Sequence, residues 1–186
     1  MIFKYSLLAL SASLDALILG ITYGIKKTKM SKTGNAIIFA IVFVCSTFAL
    51  LLGHYISLLL SPTFSVLLGS SLLIALGLYN IYRGIKKINT IKNFDTDNSN
   101  YIDNREATLL GLAVAIDASC VSMTCAFIGY SSFILPFFMA TFHTLFVNCG
   151  NIAAKNIVER INVPAYFLSI FAGALLVLIG TLRLVL

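Results

Sequence analysis

The sequence predicts an all-α membrane protein of six transmembrane helices, arranged as a 3+3 inverted-topology repeat. Three observations predict it: long apolar runs almost free of charge, basic residues gathered in alternate loops, and an acid that recurs at equivalent places in the two halves. Of 186 residues, 59% are hydrophobic and 11% charged, with a mean hydropathy of +0.97. Soluble domains carry about 25% charged residues, so a water-soluble globular domain is excluded.

The charges mark the helices. Residues 5–25 hold one charge, Asp15; 33–82 hold none; 107–154 hold one, Asp117; and 161–182 hold none. A spanning helix needs about 20 apolar residues. The two long runs are therefore helical hairpins, turning at Ser61-Pro62-Thr63 and at Gly129-Tyr130-Ser131-Ser132. The six helices fall near residues 3–24, 35–60, 65–84, 107–128, 133–154 and 164–185. The first is too long for a signal peptide and lacks an Ala-x-Ala-like cleavage site. Residues 1–84 form a first three-helix repeat, 85–106 a polar and mobile cytoplasmic linker, and 107–186 a second three-helix repeat.

Basic residues set the orientation. Eleven of the thirteen Lys and Arg lie in or beside the loops after the first, third and fifth helices, leaving Lys4 and Arg183 on the other side. The positive-inside rule then places both termini outside the cytoplasm, in a multi-pass protein of the cell membrane. The net charge of +6 reports topology, with contact to anionic lipid as a secondary consequence; no nucleic-acid partner is expected. Cys45, Cys120, Cys125 and Cys149 all fall within helices without C-x-x-C spacing, as small buried apolar side chains rather than a disulfide framework.

An odd number of spans per half inverts the second half. Ser13-Leu-Asp15-Ala in the first helix matches Ala115-Ile-Asp117-Ala in the fourth at an offset of 102, which also pairs Thr22 with Thr124. Leu72-Leu-Ile-Ala-Leu-Gly77 matches Leu175-Leu-Val-Leu-Ile-Gly180 at an offset of 103. The second and fifth helices admit two registers. One sets Thr47 on Thr141 and His54 opposite Asn148; the other sets Gly53 on Gly150.

Of seven acids, only Asp15 and Asp117 sit mid-membrane. An aspartate there costs about 2.5–3.5 kcal/mol on insertion scales, and such residues face the bundle interior or a water-filled cavity. Seven residues make nearly two helical turns, so Asp15 and Thr22 share a face, as do Asp117 and Thr124, each hydroxyl about 10 Å from its acid. Ser11 extends the first stripe, and Cys120 follows one turn after Asp117.

Two carboxylates in a low dielectric do not both stay ionised unaided: one takes a proton or a cation bridges them. Oxygen ligands suit hard divalent ions such as Mn²⁺, Mg²⁺ or Ca²⁺. His143, mid-way along the fifth helix, and Asn148, Asn151 or Asn80 are further candidate ligands, and an imidazole tilts the choice toward a transition metal. The same residues also admit structural roles: the aspartates and His143 as interhelical hydrogen-bond partners, His54 at the interface, Asn80 as a helix cap, and Ser11, Thr22 and Thr124 bonded back to the preceding turn. Gly69, Gly77, Gly173 and Gly180 permit close helix contact. The metal-site candidates are thus Asp15, Asp117, His143, Asn148, Thr22 and Thr124.

Ser13-Leu-Asp15-Ala followed by Gly20-Ile-Thr-Tyr-Gly24-Ile-Lys-Lys resembles the first helix of the MntP/YtaF family, and residues 107–118, with Asp117, resemble its fourth. The family comprises manganese efflux pumps and sporulation-membrane relatives within the LysE exporter superfamily. The likeness runs over essentially the whole chain, and the basic tail of the first helix is closer to the YtaF branch. It implies helix aspartates serving metal export, carried over to Asp15 and Asp117 only.

The expected function is secondary active export of a divalent cation, most readily Mn²⁺, exchanged for protons or sodium as one repeat rocks against the other. The chain is not expected to be an enzyme, and no tightly bound cofactor is expected: there is no ATP-binding motif, and the metal is cargo. A dimer is compatible with the sequence. The alternative is a non-transporting, sporulation-associated membrane protein of the YtaF type. An intramembrane aspartyl protease would want Tyr-Asp and Gly-x-Gly-Asp contexts, which are absent here. Export of an amino acid would want a positive, carboxylate-binding end.

Overall fold

In the computed structural model the chain is described over residues 2–25, 29–86, 101–157 and 165–185. The elements run α1 (Ile2–Ala12), α2 (Leu14–Ile25), β1 (Lys29–Met30), α3 (Lys32–Leu59), α4 (Pro62–Ile85), β2 (Tyr101–Ile102), α5 (Asn104–Phe127), α6 (Ile134–Ile157) and α7 (Ala165–Val185). Three of these helices, α3, α4 and α5, are long and apolar enough to cross a membrane, and shorter apolar helical stretches span Tyr5–Ile21 and Ile170–Leu182.

Local chemistry fixes the helix ends. Ser31 caps α3, its Oγ accepting from Gly34 N at 2.7 Å. Ser61 caps α4 and Pro62 takes the first helical position, where its missing N–H is not needed. Asp103 and Glu106 form a capping box at the start of α5. After α5, Gly129 adopts φ 85°, a left-handed turn that a glycine makes without steric penalty.

Two expectations need correction. The first helix is not continuous: it breaks at Ser13, whose Oγ donates to the Ala9 carbonyl at 2.6 Å while its N–H is shared between Ala9 and Leu10. Such back-bonding bends helices. The 85–106 connection is not wholly a linker, because α4 continues to Ile85 and α5 begins at Asn104. Tyr101 and Ile102 also pair in parallel with Lys29 and Met30. Ile102 is fully buried against the α3 and α5 core. Residues 87–100 lie outside the described residues.

Packing joins helices from different halves. The closest pairs are α3 with α5, α4 with α7, and α2 with α6. Gly34 faces Ala107 and Gly53 faces Met123 and Ala126, so α3 and α5 run parallel. Ser13 meets His143 and, further along, a Cβ on Gly20 would strike the Val147 carbonyl, so α2 and α6 are parallel too. Gly77 and Gly173 meet backbone to backbone while Gly180 meets Ser70, so α4 and α7 cross antiparallel. Small residues let helices approach this closely without a water-driven core. Each half is therefore interleaved with the other, and the expected rocking of one three-helix repeat as a body does not fit this packing.

The outer surface is apolar. On α3, Phe48, Tyr55 and Leu59 are well exposed while Ser46 and Gly53 are buried. Burying the small and polar side chains and exposing the large apolar ones suits a hydrocarbon solvent.

Candidate cation site

Asp15 lies in the first turn of α2, one position into the helix that restarts after Ser13. A helix N-terminus presents unsatisfied N–H groups and a partial positive charge, which favours an acid there. Asp117 lies in the middle of α5, which runs unbroken through it. Both side chains are partly buried. Asp117 lies within the electrostatic reach of Asp15, and both lie within that of Arg83, near the end of α4.

His143 on α6 is buried beside the helix break. Its Nδ1 lies 2.8 Å from Ser13 Oγ and 2.8 Å from the Met139 carbonyl. A carbonyl only accepts, so Nδ1 carries the hydrogen and Nε2 is left with the lone pair a metal would use. Ser13 thus ties the break that positions Asp15 to α6.

The other candidates divide. Asn148 is engaged elsewhere: its Oδ1 accepts from Asn35 Nδ2 at 2.9 Å, and its Nδ2 donates to the Thr144 carbonyl at 2.8 Å. Thr124 is buried and donates back to the Cys120 carbonyl at 2.7 Å, beside the Gly69 contact with α4. Thr22 belongs to α2, but its side chain lies outside the described residues. Ser11 donates to the Ala172 carbonyl at 3.2 Å, tying α1 to α7. Asn151 is buried on α6. Asn80 is buried inside α4 rather than capping it, because the helix runs past it to Ile85. Cys120 and Cys149 are exposed, Cys45 is partly buried and only Cys125 is fully buried; all four are free thiols. The expectation of four buried cysteines is thus corrected, because the outward helix faces here meet lipid rather than a core.

Among the described residues no three His, Cys, Asp or Glu side chains cluster as a metal centre. The two acids and Arg83 belong to three different helices, and His143 sits beside the break that precedes Asp15. Two carboxylates offer a hard divalent ion charge and up to four oxygens, with water filling the remaining positions.

Arg83 is the residue the sequence did not single out. It closes a 50-residue uncharged run, 33–82, and so counted as a loop charge reporting topology. The available signal was its spacing from Asn80: at i and i+3 the two share a face of α4, and both Asn80 and the adjoining Gly84 are buried.

Among known proteins, the family described as "Putative manganese efflux pump" (Mntp) matches residues 1–81 and 62–184. A relative from Bacillus subtilis (strain 168), described as "Probable sporulation protein YtaF", is 26% identical over 171 residues, covering 77% of this chain and 81% of the relative. No solved structure matches.

Proposed function

Because this chain belongs to the Mntp family of manganese efflux pumps, we propose that it is a secondary active transporter exporting a divalent cation, most readily Mn²⁺, through Asp15 and Asp117. The family is described as one of transporters, not of enzymes. What supports the proposal is the family match together with two acids, one on α2 and one in mid-α5, each partly buried within an apolar helix. Intramembrane acids facing a bundle interior mark ion pathways. Protons or sodium returning through the same carboxylates supply the driving force, since the emptied pair needs a positive partner.

Inverted halves underlie the cycle. Offsets of 102 and 97 send Ile21 to Met123 and Gly53 to Gly150; Gly53 abuts Met123 as Gly150 abuts Ile21. An offset of 103 sends Ser70, Ile74 and Gly77 to Gly173, Val177 and Gly180. Gly77 abuts Gly173 and Val177, as Gly180 abuts Ser70 and Ile74. These paired contacts support a pseudo-twofold axis, and the register that sets Gly53 on Gly150. In this reading α4 and α7 cross on the axis, and alternating access moves the α2–α6 pair against the α3–α5 pair. The basic loops place both termini outside the cytoplasm.

Exchange in proteoliposomes tests the proposal. Asp15→Asn and Asp117→Asn each remove one ligand charge and should abolish Mn²⁺-stimulated counter-ion flux. Wild-type flux in both variants would overturn it.

A second reading, a non-transporting sporulation factor, is favoured by the relative described as a sporulation protein. Hypersensitivity to Mn²⁺ after deletion of the gene distinguishes the exporter from that factor.

A further inference from the structure

We infer that Asn35, Asn148 and Thr144, where α3 meets α6, form a second cation site, built of neutral oxygens and suited to Na⁺. The inference rests on the exporter reading above and names sodium as its counter-ion, at a station separate from the two aspartates.

Thr144 and Asn148 lie one turn apart on α6 and share a face that the buried Asn151 continues. Asn35 approaches them from the first turn of α3. Its Nδ2 donates to Asn148 Oδ1 at 2.9 Å, and Asn148 Nδ2 donates to the Thr144 carbonyl at 2.8 Å. The Asn148 amide thus stands between the other two residues. Each of those two has an oxygen left over: Asn35 Oδ1 and Thr144 Oγ1 are fully buried and have no hydrogen-bond partner among the described residues. The Asn35 oxygen is bonded to the same carbon as the donating nitrogen, so it lies within about 5.5 Å of Asn148 Oδ1.

Thr144 departs from its neighbours. Thr47, Thr108, Thr124 and Thr141 each donate to the carbonyl four residues back, at 2.7–2.8 Å. That bond is open to any threonine inside a helix, and Thr144 does not make it. Polar groups that serve only to join helices would pair every atom, because a buried oxygen without a partner is costly. A cation site needs the reverse, several oxygens with lone pairs to spare. Asn148 Oδ1 keeps one beyond its bond to Asn35, which makes three protein oxygens, with water to complete the shell.

The donors decide the charge of the guest. Two amides and a hydroxyl carry none, and divalent ions are held by sites that include carboxylates. A monovalent ion gives up far less hydration, since that cost grows with the square of the charge. The place suits a counter-ion as well. Ser13 meets His143 and Gly20 meets Val147, so the run from Thr144 to Asn148 starts level with Asp15 and continues toward the start of α3. Sodium passing the aspartates meets these oxygens at its next step.

Thermal unfolding in detergent, with NaCl against choline chloride at equal ionic strength and no manganese, tests the site. The wild-type melting temperature should rise with Na⁺ and saturate, as it does for a ligand held only by the folded state. Thr144→Val keeps the shape and removes the hydroxyl; it and Asn35→Ala should each weaken Na⁺ about tenfold, the scale of one bond to a charged group. Thr144→Ser should respond like wild type, and so should the double variant Asp15→Asn with Asp117→Asn. No Na⁺ response in wild type would overturn the proposal, as would a full response in both Thr144→Val and Asn35→Ala. Loss of the response in the double aspartate variant would put Na⁺ on the carboxylates and overturn it too. In proteoliposomes an inward Na⁺ gradient should drive Mn²⁺ out through wild type and poorly through Thr144→Val; Mn²⁺ movement indifferent to Na⁺ would overturn the counter-ion role. A wild-type protein that moves no Mn²⁺ would overturn the exporter reading instead, and the Na⁺ titration would still decide this site.

Discussion

Ser13 has three roles at once. Its hydroxyl donates to Ala9, it accepts from His143 Nδ1, and its backbone is where the first helix breaks. Ser13→Ala removes both side-chain contacts and leaves Nδ1 with the Met139 carbonyl alone. A loss of about 0.5–1.5 kcal/mol follows, the net scale of a hydrogen bond; denaturation in detergent measures it, and an unchanged midpoint would contradict it. As candidates, Asp15 and Asp117 were legible in the sequence because a charge in an apolar run has few harmless explanations. Asn148 was not, since an amide pairs with whatever the fold brings near it, and here that is Asn35, 113 positions away. Arg83 was hidden for a different reason. A basic residue at the end of a spanning segment obeys the topology rule whether or not its side chain turns inward.

The helices themselves were largely readable, because helix length follows bilayer thickness and the charges bound each run. The turn at Gly129 bounded α5 to within one residue, whereas α4 begins at Pro62, three residues before the expected start. The break at Ser13 carries neither proline nor glycine, so nothing in the local sequence announces it. The β1–β2 pair is two residues long and joins positions 72 apart in the chain, beyond the reach of any periodicity. Close helix approach was foreshadowed by the glycines, and its partners emerge only in three dimensions. Gly150 is a clear case: an added Cβ would stand 2.5 Å from the Leu17 carbonyl and 2.8 Å from Ile21 N. Backbone cannot yield as a side-chain tip can. Gly150→Ala should therefore destabilise the α2–α6 contact by about 1–3 kcal/mol, the range for overpacking, read as a lowered melting temperature. Leu145→Ala, on the exposed face of the same helix, serves as the control, with a change near zero expected.

Across the whole molecule, pairing between halves matters more than the halves themselves. A protein whose repeats were separate bodies would keep its closest contacts within each repeat. Here α3 packs on α5 and α2 on α6, so the units available to move are drawn from both halves. The parallel β1–β2 clasp reinforces one of them by joining the starts of α3 and α5. An engineered disulfide tests the consequence. A Cβ placed on Gly34 would lie 3.3 Å from Ala107 Cβ, close to disulfide geometry. In a background lacking the native cysteines, Gly34→Cys with Ala107→Cys should cross-link and still exchange metal, because α3 and α5 travel together. Loss of exchange that reduction restores would show that they must separate. The most direct test of all is a crystal soaked in Mn²⁺ and measured at the manganese edge. An anomalous peak between the carboxylates of Asp15 and Asp117 is the expected result. Saturating Mn²⁺ that places its peak elsewhere, with both carboxylates left bare, would contradict the account.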